Sequence, residues 1–215
     1  MPAVSGLCIY TINNSGLSKN PGWASLCYSF VMANNNREVE IKFKVVDVPA
    51  LQKKLRSLKA RRVGKAFERT VRFDTPGDDL EKSNKFVRVR TGFKNVVTFK
   101  QKLGEDTKFK VRKEIELEVS DPQKMEQVIE GLGFTKRLIM EKYREKWEVD
   151  ACEVVIDELP FGVFTEIEGS RDQIVGAAKS LGFKLTDGIT VSYWELWHEF
   201  GGTGSIVFNN PSNKV

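Results

Sequence analysis

Six separate segments of this chain alternate charged and apolar side chains with a period of two: Glu38–Val45, Phe86–Arg90, Val96–Lys102, Val111–Val119, Lys142–Trp147 and Thr165–Glu168. Successive side chains of a strand point to opposite faces, so each segment predicts a strand with one ionic and one apolar face. In the first, Glu38, Glu40, Lys42 and Lys44 share one face and Val39, Ile41, Phe43 and Val45 the other. An open antiparallel sheet with one wet face is the ordinary source of such a pattern. Here the polar faces are almost wholly ionic, and acidic strands stand among basic ones. A closed barrel accounts for that. Its apolar faces pack outward under helices, and its charged faces line an interior wide enough for water, a metal and an anion.

The residue types on those faces define a chemistry. Glu38 and Glu40 offer two hard oxygen donors of the kind Mg²⁺ and Mn²⁺ prefer, and Lys42 beside them can hold a phosphate. Arg88 and Arg90 share a face, as do Thr98, Lys100 and Lys102. Arg112, Glu114, Glu116 and Glu118 line up, and Lys142, Arg144 and Lys146 lie opposite Tyr143 and Trp147. Glu166 and Glu168 alternate with Thr165 and Ile167. The net charge is +5, with the basic residues concentrated between Lys82 and Lys146, which suits an anionic partner. A small polyphosphate fits better than nucleic acid, because no nucleic-acid-binding signature is present. His198 is the single histidine, so histidine-based metal sites and Ser/His or Cys/His nucleophile pairs are excluded as designs.

At 215 residues the chain can bury one core, and 40% hydrophobic with 29% charged residues describes a soluble globular protein without membrane association. Cys8, Cys27 and Cys152 are odd in number and form neither a zinc pattern nor a disulfide framework. A reducing, cytoplasmic setting is expected. Residues 1–31 are rich in Ser, Asn and Gly and nearly uncharged. They are expected to be a disordered leader, or an extension ahead of a natural start at Met32. Residues 32–200 are expected to form the domain, and 201–215 a flexible tail. Helices are predicted over Val48–Ala60, after the caps Asp121 and Ser170, and around Tyr193 to Phe200. Gly133 and Gly182 stop the middle two. The fold class is α+β, with about eight strands and four helices.

The ordered motifs resemble the CYTH superfamily, the triphosphate tunnel metalloenzymes. They are EVEIK at Glu38–Lys42, FDTPGDDL at Phe73–Leu80, VRVR at Val87–Arg90, TFK at Thr98–Lys100 and RKEIELEV at Arg112–Val119. KYREKW at Lys142–Trp147, VVID at Val154–Asp157 and FTEIEG at Phe164–Gly169 complete the set. The TVSYWELW ending resembles that of the prokaryotic class IV adenylate cyclase-like subgroup. The resemblance implies a closed eight-stranded antiparallel β-barrel, a triphosphate tunnel, with helices outside. It implies Glu38, Glu40, Asp157, Glu166 and Glu168 as ligands of Mg²⁺ or Mn²⁺. Lys42, Arg88, Arg90, Lys100 and Arg144 would hold phosphate, with Glu38, Glu40 and Lys42 at the catalytic centre. Lys44, Lys102, Arg112, Glu114, Glu116 and Lys142 would complete the tunnel lining. The expected substrate is tripolyphosphate, thiamine triphosphate or ATP, and a homodimer is an open alternative. Hydrolysis is the favoured reaction, because water needs no base pocket and no base-binding motif is found. Cyclisation of ATP by a class IV adenylate cyclase is the alternative, and polyphosphate or nucleotide binding without turnover the second alternative. Replacing Arg90 or Arg144 by Ala is expected to relieve like-charge crowding and raise stability slightly.

Overall fold

A computed structural model of the chain describes residues 36–104 and 106–208. The expected leader and residues 209–215 of the tail lie outside them. Eight strands are present: β1 (Arg37–Lys44), β2 (Arg61–Asp74), β3 (Lys85–Thr91), β4 (Val96–Lys102), β5 (Lys110–Glu118), β6 (Thr135–Val149), β7 (Cys152–Leu159) and β8 (Gly162–Glu168). They close into a barrel in the order β1-β5-β4-β3-β2-β6-β7-β8, antiparallel throughout. Closure pairs every strand on both sides, apart from the unpaired earlier half of β6, and sets an inner face against an outer one.

The helices begin where the sequence supplies a cap. α1 (Val48–Ser57) starts at Asp47, whose side chain accepts from the Ala50 N–H at 2.9 Å. It ends before the expected Ala60 because Lys59 takes a left-handed turn into β2. α3 (Pro122–Gly131) is capped by Asp121, and α4 (Arg171–Leu181) by a Ser170–Gln173 capping box. A second capping box, Ser192 with Glu195, opens α5 (Tyr193–Glu199). The fifth α-helix, α2 (Asp79–Lys82), is a single turn in the FDTPGDDL segment. Buried Asp74 holds it by accepting from the backbone of Thr75, Leu80 and Glu81.

Outside the barrel, α1 and α4 cover a core containing Ile41, Phe43, Trp147, Val154, Ile156 and Ile167. Ile129 of α3 covers Val71, Phe73 and Val89. Each such side chain, fully buried, contributes about 1.5–3 kcal/mol of transfer free energy. One expectation is corrected here. The apolar outer face of β5 is buried at Val111, but Ile115 and Leu117 are exposed. Within residues 201–208, Ile206 is fully buried and exchanges backbone hydrogen bonds with β6 at Ile139 and Glu141. β7 ends opposite Tyr143, so the earlier half of β6 has a free side for the tail to pair with. Among the described residues, no helix is long and apolar enough to cross a membrane.

Candidate functional site: a charged tunnel

Strand parity carries the ionic faces into the barrel. β1 contributes Glu38, Glu40 and Lys42, and β8 contributes Glu166 and Glu168, with Lys42 directly opposite Glu166 and Glu40 opposite Glu168. β6 and β7 set Arg144 opposite Asp157. β3 and β4 set Arg88 opposite Thr98, and β4 and β5 set Lys100 opposite Glu114. Lys42, Lys100, Lys142, Glu40, Asp157 and Glu166 are all buried. Buried charge is tolerated only where it is paired, and the pairs form two groups.

The first group surrounds Asp157, which is completely buried. Arg144 donates to it through Nε at 2.7 Å and Nη2 at 2.5 Å, and reaches Glu166 at 2.6 Å. Lys142 Nζ donates to Asp157 at 2.9 Å, and Lys42 pairs with Glu166 at 3.0 Å. Burial opposes ionisation of Asp157 and Glu166, but Arg144, Lys142 and Lys42 outweigh it. Asp157 is held below the usual carboxylate range, and Glu166 well below it. Burial also works against the Lys42 charge, yet Glu166, Glu40 and Asp157 hold its pKa above the ordinary lysine value. Burial and the neighbouring Arg144 together lower the pKa of Lys142.

The second group lies along β1, β4, β5 and β8. Lys100 Nζ meets both Glu38 oxygens at 2.6 Å and Glu114 at 3.1 Å. Lys110 pairs with Glu40. Glu168 has no ion-pair partner among the described residues. Burial, and then Glu38 and Glu40 beside it, push its pKa up to about 8. The residue is exposed to solvent, which screens part of this repulsion. The surplus negative charge on Glu38, Glu40 and Glu168 fits a divalent cation, because their carboxylate oxygens are the hard donors that Mg²⁺ and Mn²⁺ take.

The five carboxylates read from the sequence do not converge on one point. Among the described residues, the one group of three or more metal-capable donors within 4.8 Å is Asp74, Asp78 and Glu81. Asp74 there is already satisfied by three backbone N–H groups, so that cluster serves to cap α2. Of the remaining lining residues, Arg90 pairs with Glu116 at 3.1 Å and Arg88 approaches Glu114 at 3.6 Å. Arg112 stacks on Phe86, 5.1 Å from the ring centre. Lys44 and Lys102 are exposed. Lys44 lies over the ring of Phe200 at the barrel's end, which corrects its place in the lining.

Three residues of the tunnel escape a reading by alternation. α5 brings Tyr193 into the barrel, where its hydroxyl donates to Asp157 at 2.9 Å and its ring lies 4.4 Å from Lys42 Nζ. With Trp194, Phe164, Met140 and Leu159 it forms an apolar cluster that plugs this end. Gly202 lets the chain fold back over the plug, since a Cβ there would fall 1.9 Å from the Trp197 ring. Lys110 was masked by its position at a strand edge. Glu68 lies on β2, whose ERTVRFD run mixes charges on both faces and hides the parity. The ion pairs also correct the expectation for Arg144. It neutralises two buried carboxylates, so its removal strips charge compensation rather than relieving crowding.

A closed antiparallel barrel lined with paired lysines, arginines and carboxylates defines a charged tunnel. Residues 36–182 match the CYTH domain family, and the chain belongs to it. A protein of Methanocaldococcus jannaschii named as a candidate adenylate cyclase is 30% identical over 172 residues, covering 74% of this chain and 97% of that one. A solved structure from Pyrococcus horikoshii OT3 is 28% identical with a TM-score of 0.62, covering 76% and 99% of the two chains. A Hippeastrum protein, described as a candidate adenylyl cyclase with a dominant triphosphatase activity, is 20% identical with a TM-score of 0.53, covering 76% and 96%. That last likeness is one of fold.

Proposed function

We propose that this protein is a divalent-metal-dependent enzyme that hydrolyses tripolyphosphate or a small organic triphosphate such as thiamine triphosphate. What supports this reading is that Lys42, Lys100, Arg88, Arg90 and Arg144 lie on the inner faces of one closed barrel, each against a carboxylate. A triphosphate carries about four negative charges, and hydrolysis needs positioning and charge neutralisation more than covalent chemistry. Phosphate oxygens would take over these cations, with Lys100 beside Glu38 on the proposed metal-binding face. Glu38, Glu40 and Glu168 would hold Mg²⁺ or Mn²⁺, with Asp157 and Glu166 completing the set once a phosphate claims Arg144 and Lys42. The bound ion would offset charge on the phosphate oxygens and acidify a water. The odd cysteine count supports a cytoplasmic setting.

The name of the archaeal relative favours a second reading, cyclisation of ATP. Tripolyphosphate, thiamine triphosphate and ATP offered in parallel with Mg²⁺ or Mn²⁺ separate the two. Orthophosphate release is expected. Cyclic AMP with diphosphate would establish the cyclase, and binding of all three without turnover would end both readings.

A further inference from the structure

Among the described residues, Glu68 Oε2 is the carboxylate oxygen that is both shut off from solvent and without a hydrogen-bond partner. The residue is 3% exposed. Lys142 Nζ and Arg144 Nε each stand 3.7 Å away, close enough to pair electrostatically and too far to donate. Arg90 is among the charges that act on it. An unpartnered buried oxygen is destabilising, so its persistence calls for an explanation. The backbone also holds it in place. Gly92 passes so close that a Cβ there would lie 2.7 Å from Glu68 Cγ. The side chain is thus clamped with an open lone pair beside Arg90 and Arg144, two of the cations assigned to phosphate.

We infer that Glu68 is a catalytic residue that accepts a hydrogen bond from the attacking water and aims it at the terminal phosphorus. The inference rests on the hydrolase reading. Its environment keeps Glu68 an acceptor: burial opposes its charge, but Arg144, Lys142 and Arg90 outweigh burial and hold its pKa below the ordinary value. In the step, the water oxygen forms a bond to the terminal phosphorus as the bond to the bridging oxygen breaks. The bond electrons leave on diphosphate. One water proton stays on the released phosphate and the other ends on the diphosphate, so tripolyphosphate and water give phosphate and diphosphate with nothing left over. A carboxylate without a spare lone pair, such as Asp157, is engaged by donors and is not free for this task.

The alternative role is that of a plain counter-ion for Lys142 and Arg144. Two substitutions separate the roles, with kcat and KM for tripolyphosphate and the Tm as readouts. Glu68→Asp keeps the charge but withdraws the oxygen by one methylene. Glu68→Gln keeps the shape but removes the charge. Aiming of water predicts a fall in kcat on the order of a hundredfold in Glu68→Asp, with KM and Tm near those of the parent. Glu68→Gln should lose kcat similarly and bind tripolyphosphate at least as tightly. A Glu68→Asp variant with parental kcat would overturn the inference, even if Glu68→Gln failed to fold. Absence of phosphate release by the unsubstituted protein would instead fail the hydrolase reading itself.

Discussion

The carboxylates around Asp157 and those around Glu168 lie on the same tunnel wall and behave in opposite ways. β8 carries a member of each group, Glu166 and Glu168, two residues apart on one face. Glu166 meets Lys42 and Arg144 and is held well below the usual carboxylate range. Glu168 meets Glu38 and Glu40 and is raised to about 8. The Asp157 group is compensated by its own chain and further sealed by Tyr193. In the other group Lys100 and Lys110 meet Glu38 and Glu40, and Glu168 is left without an ion-pair partner among the described residues. Identical residue types in an identical strand pattern thus divide into a lowered carboxylate and a raised one, and only the neighbours across the barrel tell them apart.

The largest test of this contrast is Arg144→Ala. It leaves Asp157 short of its main partner and Glu166 short of one of two, and should destabilise by about 3–5 kcal/mol. An unchanged denaturation midpoint would remove the distinction between the groups. Next in size, Glu38→Gln or Glu40→Gln should lower metal-dependent turnover on the order of a hundredfold, about 2.7 kcal/mol of transition-state stabilisation. The fold should survive, as circular dichroism and Tm would report. Equal turnover in EDTA and in Mg²⁺ would break the assignment of these carboxylates to a metal.

The pH dependence should carry opposite signs in the two groups. Glu166 and Asp157 are depressed, so the stability they lend is present above the ordinary carboxylate value and is lost as pH falls through the depressed values. Glu168 is raised, so its contribution is complete below its ordinary 4.5 and is lost as pH rises toward about 8. Thermal melts of the metal-free protein should therefore decline across that interval, and Glu168→Gln should flatten the decline. Added Mg²⁺ or Mn²⁺ should raise the Tm more above about pH 8 than near pH 5. A metal-induced shift independent of pH would argue against Glu168 as a ligand.

Smaller effects refine the picture. Tyr193→Phe removes one of four donors to Asp157 and should cost about 1 kcal/mol, or roughly 2–4 °C in Tm. Arg90→Ala is the contrast to Arg144→Ala. Burial and the nearby Arg88 and Arg144 disfavour the Arg90 charge, and one carboxylate, Glu116, pairs with it. Its loss should change stability by less than about 1 kcal/mol, toward a slightly higher Tm, while tripolyphosphate affinity falls in calorimetry.

Alternation made most of the tunnel readable. A period of two commits Glu38, Glu40, Lys42, Lys100, Arg144 and Glu166 to one side of their strands, and no tertiary contact can change that parity. The caps Asp47, Asp121 and Ser170 were equally legible, because a helix start is satisfied within four residues. The single turn α2 was not. It depends on Asp74 reaching forward to Leu80 and Glu81 from a strand end, which no periodic signal marks. Glu68 was hidden because β2 carries Lys65, Arg69 and Phe67 on its outer face, so charge alone did not reveal which side was inner.

What the sequence determined by itself is the set of faces and the family, because both rest on local spacing and on the order of motifs. What the tertiary structure decided is the state of each charge. Closing the barrel sets Lys42 against Glu166, Arg144 between Asp157 and Glu166, and Glu168 beside two other carboxylates. It also swings Tyr193, more than 30 residues along the chain from Asp157, into hydrogen-bond reach. Coulomb energy depends on distance through space and on burial, and neither quantity exists until strands far apart in the chain have met.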